Sequence, residues 1–374
     1  MAKKKLCCDE KDAARLNKVG GQAVIEGVMM KAGNRTVTTC RKEDKSLVVF
    51  DGSFVSVRKK HKFLNLPILR GVVNFIEMMI LSVKTLANSA EALGIEEEET
   101  KFEKWLKKKF GIGITWVIMG ISVVLGIALA LGLFMFLPNF ISSLIDNYIF
   151  GGRLDAWNAV IEGIVKIIIF LAYLWLVSLI PDIRRTFMYH GAEHKSIACF
   201  EGGGELTPEN AKNYKRFHPR CGTSFMFFMI LLGIFAGILV KKILPEMHWL
   251  PYSAIRLLVL PIVMGLGYEF IMFAGKHDNF LTRALSAPGL WVQKLTTKEP
   301  TEDMLEVAIV SIKCALRDDF PEFMEFYKAR PWEISETAEE GDGTSEGENT
   351  ENENAPETEK ETEKADENEA INGN

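Results

Sequence analysis

Residues 158–180 read NAVIEGIVKIIIFLAYLWLVSLI. Within this run only Glu162 and Lys166 carry a formal charge. As a helix it is about 34 Å long, enough to cross roughly 30 Å of hydrocarbon. Lipid offers the backbone no hydrogen bonds, so an apolar run of this length is read as a helix that satisfies its own N–H and C=O groups. Three more runs have the same character, at about 111–137, 222–244 and 254–274. The predicted fold class is therefore an α-helical polytopic membrane protein with about four spans. Trp116, Trp157, Trp175, Trp249, Tyr252 and Tyr268 fall near span ends, where interfacial anchors belong.

The connectors orient the spans. The segment before the first span is rich in Lys and Arg, while 138–157 holds only Arg153, beside Asp146 and Asp155. The loop 181–221 carries Arg184, Arg185, Lys195, Lys212, Lys215, Arg216 and Arg220, and 245–253 has no Lys or Arg. Lys276, Arg283, Lys294 and Lys298 follow the last span. The positive-inside rule places both termini and the loop 181–221 in the cytosol. Lys241-Lys242 is the discordant pair, accommodated by snorkelling outward. Glu162 and Lys166, four residues apart, are expected to pair on one face, and Glu269 lies in the last span. An ion path past these three is the alternative, although four spans without an internal repeat would make an unusual transporter.

Composition divides the rest. The chain has 374 residues and a net charge of −5, but residues 331–374 hold sixteen acids against two lysines, so residues 1–330 carry +9. The acidic tail is predicted to be disordered, because it cannot bury enough apolar surface to fold. The basic body suits an anionic inner leaflet, so membrane lipids are the expected partners, with protein partners possible and nucleic acid not expected. Residues 1–18 read as a flexible basic arm without the apolar core of a signal peptide. The six cysteines have no regular spacing and face the cytosol in this topology, so free thiols are expected.

Residues 19–60 read as a small cytosolic antiparallel β unit, with strands at 24–30, 36–40, 47–50 and 54–57 and turns at 32–34 and 51–52. Gly20-Gly21 and Gly27 lack the spacing of a phosphate loop and read as tight turns. Residues 61–110 form a helix followed by a cytosolic helix. Arg70, Asn74, Glu77 and Lys84 stud the first, so it is placed as interfacial or re-entrant rather than spanning. Residues 111–274 are the membrane domain and 275–330 a cytosolic segment, with Leu305, Ala308, Ile309, Ile312 and Leu316 forming one docking face. His277-Asp278 reads as a polar junction at the membrane exit, and 288–291 (PGLW) as a helix break or interfacial turn.

The chemistry is expected in the loop 181–221. A helix over 183–200, continuing out of the second span, carries His190-Gly191-Ala192-Glu193-His194, an H-x-x-E-H pattern. His190 and His194 lie one turn apart on one face and can share a divalent ion. Residues 201–204 (EGGG) end that helix, and Thr207-Pro208 starts another. His218-Pro219-Arg220-Cys221 returns the chain to the membrane and offers a second imidazole and a thiol. The metal ligands are expected among His190, His194, His218 and Cys221, with Glu193 a third ligand or a catalytic base. If His218 and Cys221 both bind, the shell is full and the centre structural. Gly191 weakens its helix by about 1 kcal/mol relative to Ala, which argues against a rigid ligand platform. Gln22 and Glu26 are further polar groups that could reach the site.

With residues 20–30 (GGQAVIEGVMM), 190–195 (HGAEHK), 218–224 (HPRCGTS) and 288–291 (PGLW), the chain resembles the YqhQ-like family of bacterial membrane proteins of unknown function, over roughly residues 17–320. The resemblance implies a bacterial plasma-membrane location and a metal-dependent enzyme. Residues and resemblance together predict a cytosol-facing hydrolase with a zinc-like divalent cofactor. The competing expectation is a lipid- or protein-binding scaffold with a structural metal or none.

Overall fold

The computed structural model of the chain describes residues 15, 18–94, 114–153, 157–218, 221–244, 249–276, 280–323 and 333–336. Expectations for most of the basic arm, for 95–109, for His277-Asp278 and for the tail beyond Glu336 lie outside the described residues.

Strands β1 (Val19–Val24), β2 (Gly27–Ala32), β3 (Arg35–Arg41) and β4 (Leu47–Ser53) form an antiparallel meander, and β5 (Glu333–Glu336) pairs parallel with β4. The run expected as one strand at 24–30 is broken. Val24 pairs with Gly27 across a two-residue turn in which Glu26 has φ +49°. The Glu26 carboxylate accepts two hydrogen bonds from Arg185, at 2.5 Å each, which offset the unfavourable backbone at that position. Asp51 and Gly52 lie inside β4 rather than in a turn, and Asp51 pairs with Arg317. Residues 54–57 form no strand and lead into a short 3₁₀ turn, Val57–Lys59.

Helices follow in the order α1 (Leu69–Ala92), α2 (Ile114–Leu131), α3 (Leu137–Ile145), α4 (Trp157–Val177), α5 (Pro181–Glu201), α6 (Pro208–Ala211), α7 (Gly222–Ile243), α8 (Trp249–Lys276), α9 (Phe280–Thr296) and α10 (Glu302–Ala315). Four helical stretches are long and apolar enough to cross a membrane: Val123–Phe150, Trp157–Val177, Gly222–Ile243 and Pro251–Phe273. Large apolar side chains such as Leu176, Phe235 and Leu258 point outward from them. A helix that is apolar all round suits lipid rather than water. The first span runs past its expected end at 137, because π-helical turns at Gly132–Phe136 and Asp146–Phe150 join α2 and α3 into one rod. Pro138 has no N–H to donate, and the wider turn before it absorbs the missing bond. Gly151 and Gly152, at φ +64° and +74°, end the rod.

One face of the sheet packs on α5 and α10. Val28, Met30, Val37 and Val49 meet Tyr189, Ala192, Ile197 and Phe200, and the expected face of Leu305, Ala308, Ile309, Ile312 and Leu316 is fully buried there. The other face, through Val24, Met29 and Cys40, packs on Leu81 of α1. The opposite end of α1 lies on the fourth span: a Cβ at Gly71 would stand 2.7 Å from Tyr268 Cβ, and Arg70 holds both oxygens of Glu269 with the Nε–Nη2 edge of its guanidinium. Three of the polar groups that argued against α1 as a span, Arg70, Asn74 and Glu77, have partners, and Lys84 is exposed. Glu77 accepts from Ser56 Oγ and Val57 N at 2.7–2.9 Å, and Arg58 donates to Asn74 at 3.1 Å. α1 thus ties the bundle to the sheet. The PGLW segment lies within α9 instead of breaking it; Gly289 lets α9 approach Ser224, where a Cβ would stand 2.7 Å from Ser224 Cβ.

Candidate metal centre

α5 does not continue the second span. The chain turns at Ser178, Leu179 and an extended Ile180, then starts afresh at Pro181, whose missing N–H is harmless in a first turn. Arg185 and Tyr189 then anchor α5 to Glu26, with Tyr189 Oη donating at 3.2 Å. Glu26 is thereby occupied by α5, and Gln22 by Ser82 and Thr85 of α1, so neither belongs to the donor group.

His190 and His194 stand one turn apart with ring centroids separated by 4.4 Å. His190 Nδ1 is 2.9 Å from the Thr296 carbonyl oxygen, and His194 Nδ1 is 2.5 Å from that of Arg216. Each Nδ1 therefore donates its proton, which leaves Nε2 with the lone pair a metal needs. Cys221 caps α7 and brings Sγ to 3.3 Å from His190 Nε2. The ligand atoms of His190, His194 and Cys221 all lie within 4.8 Å of one another. Two donors on one tetrahedral zinc stand about 3.5 Å apart, so only a small inward shift closes the shell. Two imidazoles and a thiol form a donor set that suits zinc.

Glu193 projects into the same place. Its Oε2 lies 3.8 Å from His190 Nε2 and 4.0 Å from His194 Nε2. Burial pushes its carboxyl pKa up, against the opposing pull of His190 and His218. Gly21 makes room for it: a Cβ there would stand 3.0 Å from Glu193 Cγ and 2.8 Å from Met29 O. Gly20 and Gly21 are thus strand residues rather than a turn, and Gly21 alone of the two is approached closely. His218 stands outside the three-donor group. Its Nε2 is 3.3 Å from Glu201 Oε2, and its ring centroid is 5.9 Å from that of His194.

Gly191 has a different role from the one its helix propensity suggests. A Cβ at this position would overlap the Lys298 carbonyl oxygen. The segment after α9 runs directly against α5 here, and Lys298 N donates to Phe187 O at 2.8 Å. That approach brings the Thr296 carbonyl to His190. Around it, buried Lys195 holds Glu299 and donates to Lys212 O at 2.8 Å, while Arg216 reaches Glu299 at 2.8 Å.

Buried Gln293 clamps the return to the membrane. It accepts from His218 N at 2.9 Å and donates to His218 O at 2.7 Å and Ser224 Oγ at 2.8 Å. Sequence reading passed over Gln293, Lys195, Glu299 and the two supporting carbonyls. A glutamine beside Gly289 and Val292 on a mostly apolar helix was the only available signal; backbone acceptors leave none. Gln293→Leu strands the polar groups of His218 and Ser224, so a loss of roughly 1–3 kcal/mol in chemical denaturation is expected, with weaker metal binding.

The profile of the family described as "Protein of unknown function (DUF1385)" matches residues 66–318. The chain belongs to the DUF1385 family. The matched segment contains every helix from α1 to α10 and all three donors, while β1 to β4 precede it. The chain is also 35% identical over 305 residues to the uncharacterized protein YqhQ of Bacillus subtilis (strain 168), covering 80% of this chain and 92% of that relative. No solved structure matches it. Within the DUF1385 segment, among the described residues, His190, His194 and Cys221 are the group of three donors close enough to share an ion.

Burial lowers the His194 pKa from its ordinary 6.5, because the imidazolium loses water there. The unfolded chain then binds the proton more readily than the folded one, so this histidine's contribution to stability is lost as pH falls below about 6.5. The raised Glu193 pKa acts with the opposite sign: its contribution is present below the ordinary 4.5 and is lost as pH rises. The difference between two proteins isolates the histidine. Between pH 7.5 and 5.5, chelator-treated wild type is expected to lose more thermal stability than His194→Gln, as read by melts at each pH.

Proposed function

We propose that this protein is a membrane-embedded, metal-dependent hydrolase whose centre faces the cytosol of a bacterial cell. The observation that carries the reading is the paired orientation of the imidazoles: both Nδ1 atoms are bound to backbone carbonyls, and both Nε2 atoms turn towards Cys221 Sγ. A zinc-like ion, when bound, would supply Lewis acidity. His190, His194 and Cys221 would hold it, each from a different turn or helix end. Glu193 is the general base. Its carboxylate stands beside both imidazoles, takes a proton from the attacking water and returns it to the leaving group. Burial raises its carboxyl pKa from the ordinary value. Peptide or lipid-ester bonds at the inner leaflet are the substrate classes, since the donors lie at the membrane end of α7. The basic connectors support the cytosolic placement.

Burial favours a second reading. His194 and Cys221 are nearly enclosed, and Glu193 is near enough to be a fourth ligand, which would make the centre structural and the protein a scaffold. One variant separates the two. Glu193→Gln is expected to retain its metal and to lose 10²–10⁴-fold in metal-dependent cleavage of nitrophenyl esters of graded chain length. A variant that sheds the metal assigns Glu193 to the coordination shell and supports the structural reading. Full retained turnover removes Glu193 as the base.

A further inference from the structure

The end of the bundle away from the metal centre carries a charge cluster that the hydrolase reading does not use. Glu162 of α4 is buried, and a single one of its oxygens, Oε1, takes both Arg256 Nη1 of α8 and, at 3.6 Å, Lys166 Nζ. The expected Glu162–Lys166 pair is therefore present, but the arginine that joins it was not visible in the sequence. Lys241 of α7 comes in beside them: its Nζ is 5.6 Å from the centre of the Tyr252 ring, which Arg256 also faces at 5.3 Å. Tyr252 Oη donates to Gly237 O at 3.2 Å, which fixes that ring. Two cations from two spans thus meet on one carboxylate, and Lys241 of a third span stands against the adjoining Tyr252 ring. Lys166, Glu162 and Arg256 are all largely buried in the bundle.

We propose that this cluster binds a phosphate anion, presented as the headgroup of an anionic phospholipid in the leaflet at that end. Two cations on one carboxylate oxygen leave positive charge where the dielectric is low, and an anion is what relieves it. Basic pockets between spans are suited to lipid headgroups. The site also accounts for Lys241, which the charge rule for loops places on the wrong side. One turn before Glu162 on the same helix, the Asn158 side-chain oxygen is buried without a hydrogen-bond partner among the described residues. A hydroxyl of a glycerol headgroup would supply its donor.

The test uses the full chain in detergent, with thermal unfolding followed during titration with phosphatidylglycerol, phosphatidylcholine or inorganic phosphate. Phosphatidylglycerol is expected to raise the unfolding temperature, and the other two are not. Lys241→Gln, at the bundle end, and Lys166→Gln are each expected to weaken the phosphatidylglycerol response about fivefold. Lys294→Gln, at an exposed position of α9, leaves it unchanged. Equal responses to the two lipids, or a phosphatidylglycerol response untouched in both cluster variants, overturn the proposal. A response to inorganic phosphate that matches phosphatidylglycerol overturns the lipid source.

Discussion

Replacing His194 with alanine is expected to leave the purified protein without its metal ion, while His218→Ala keeps it. The wild type should carry one zinc-like ion per chain by elemental analysis. His194 supplies one of the converging donors, and its ring is locked by the Arg216 carbonyl, so its loss removes both a ligand and a preorganised direction. Cys221→Ser should behave like His194→Ala, because an alcohol oxygen is a poor substitute for a thiolate. Apparent affinity in both is expected to fall by at least about a hundredfold. Saturating zinc should raise the wild-type unfolding temperature, by roughly 4 kcal/mol of stabilisation at a thousandfold excess over Kd, and should leave that of His194→Ala unmoved. The His218 arm separates geometry from motif. His218 is one of the four predicted ligands, yet its Nε2 faces Glu201. Metal lost in His218→Ala, with folding intact, would return it to the shell.

The second large effect is expected at Gly191. Alanine is the better helix former by about 1 kcal/mol, so a free α5 would gain from Gly191→Ala. In the folded protein the added methyl meets the Lys298 carbonyl, which cannot retreat without pulling on the bond from Lys298 N to Phe187 O. Overpacking of this kind costs about 1–3 kcal/mol. The displacement also carries Thr296 O away from His190 Nδ1 and frees the ring to turn. Gly191→Ala is therefore expected both to lower the unfolding temperature and to weaken metal retention, although it touches no donor. A variant as stable as wild type would show that the two segments part easily.

Gly191 also shows how far a local reading reaches. Propensity presented it as a flaw in a ligand helix, whereas a crossing segment more than a hundred residues away requires it. The same limit applies to Pro138, read as the first residue of a connector, and to PGLW, read as a break; both sit within helical rods because a π turn or a neighbouring helix accommodates them. Asp51-Gly52 read as a turn and lies in a strand, paired with Arg317 from beyond α10.

Hydropathy alone determined the four spans, and spacing alone placed His190 and His194 on one face, because both depend only on residues within a few turns of each other. The docking face of α10 was legible for the same reason. Tertiary structure decided which second-pair residue joins the histidines, bringing in Cys221 and turning His218 towards Glu201. It also supplied the carbonyls of Thr296 and Arg216, and placed Arg256 on Glu162. Those choices depend on where distant segments cross and in which direction backbone groups point, and neither leaves a periodic trace along the chain.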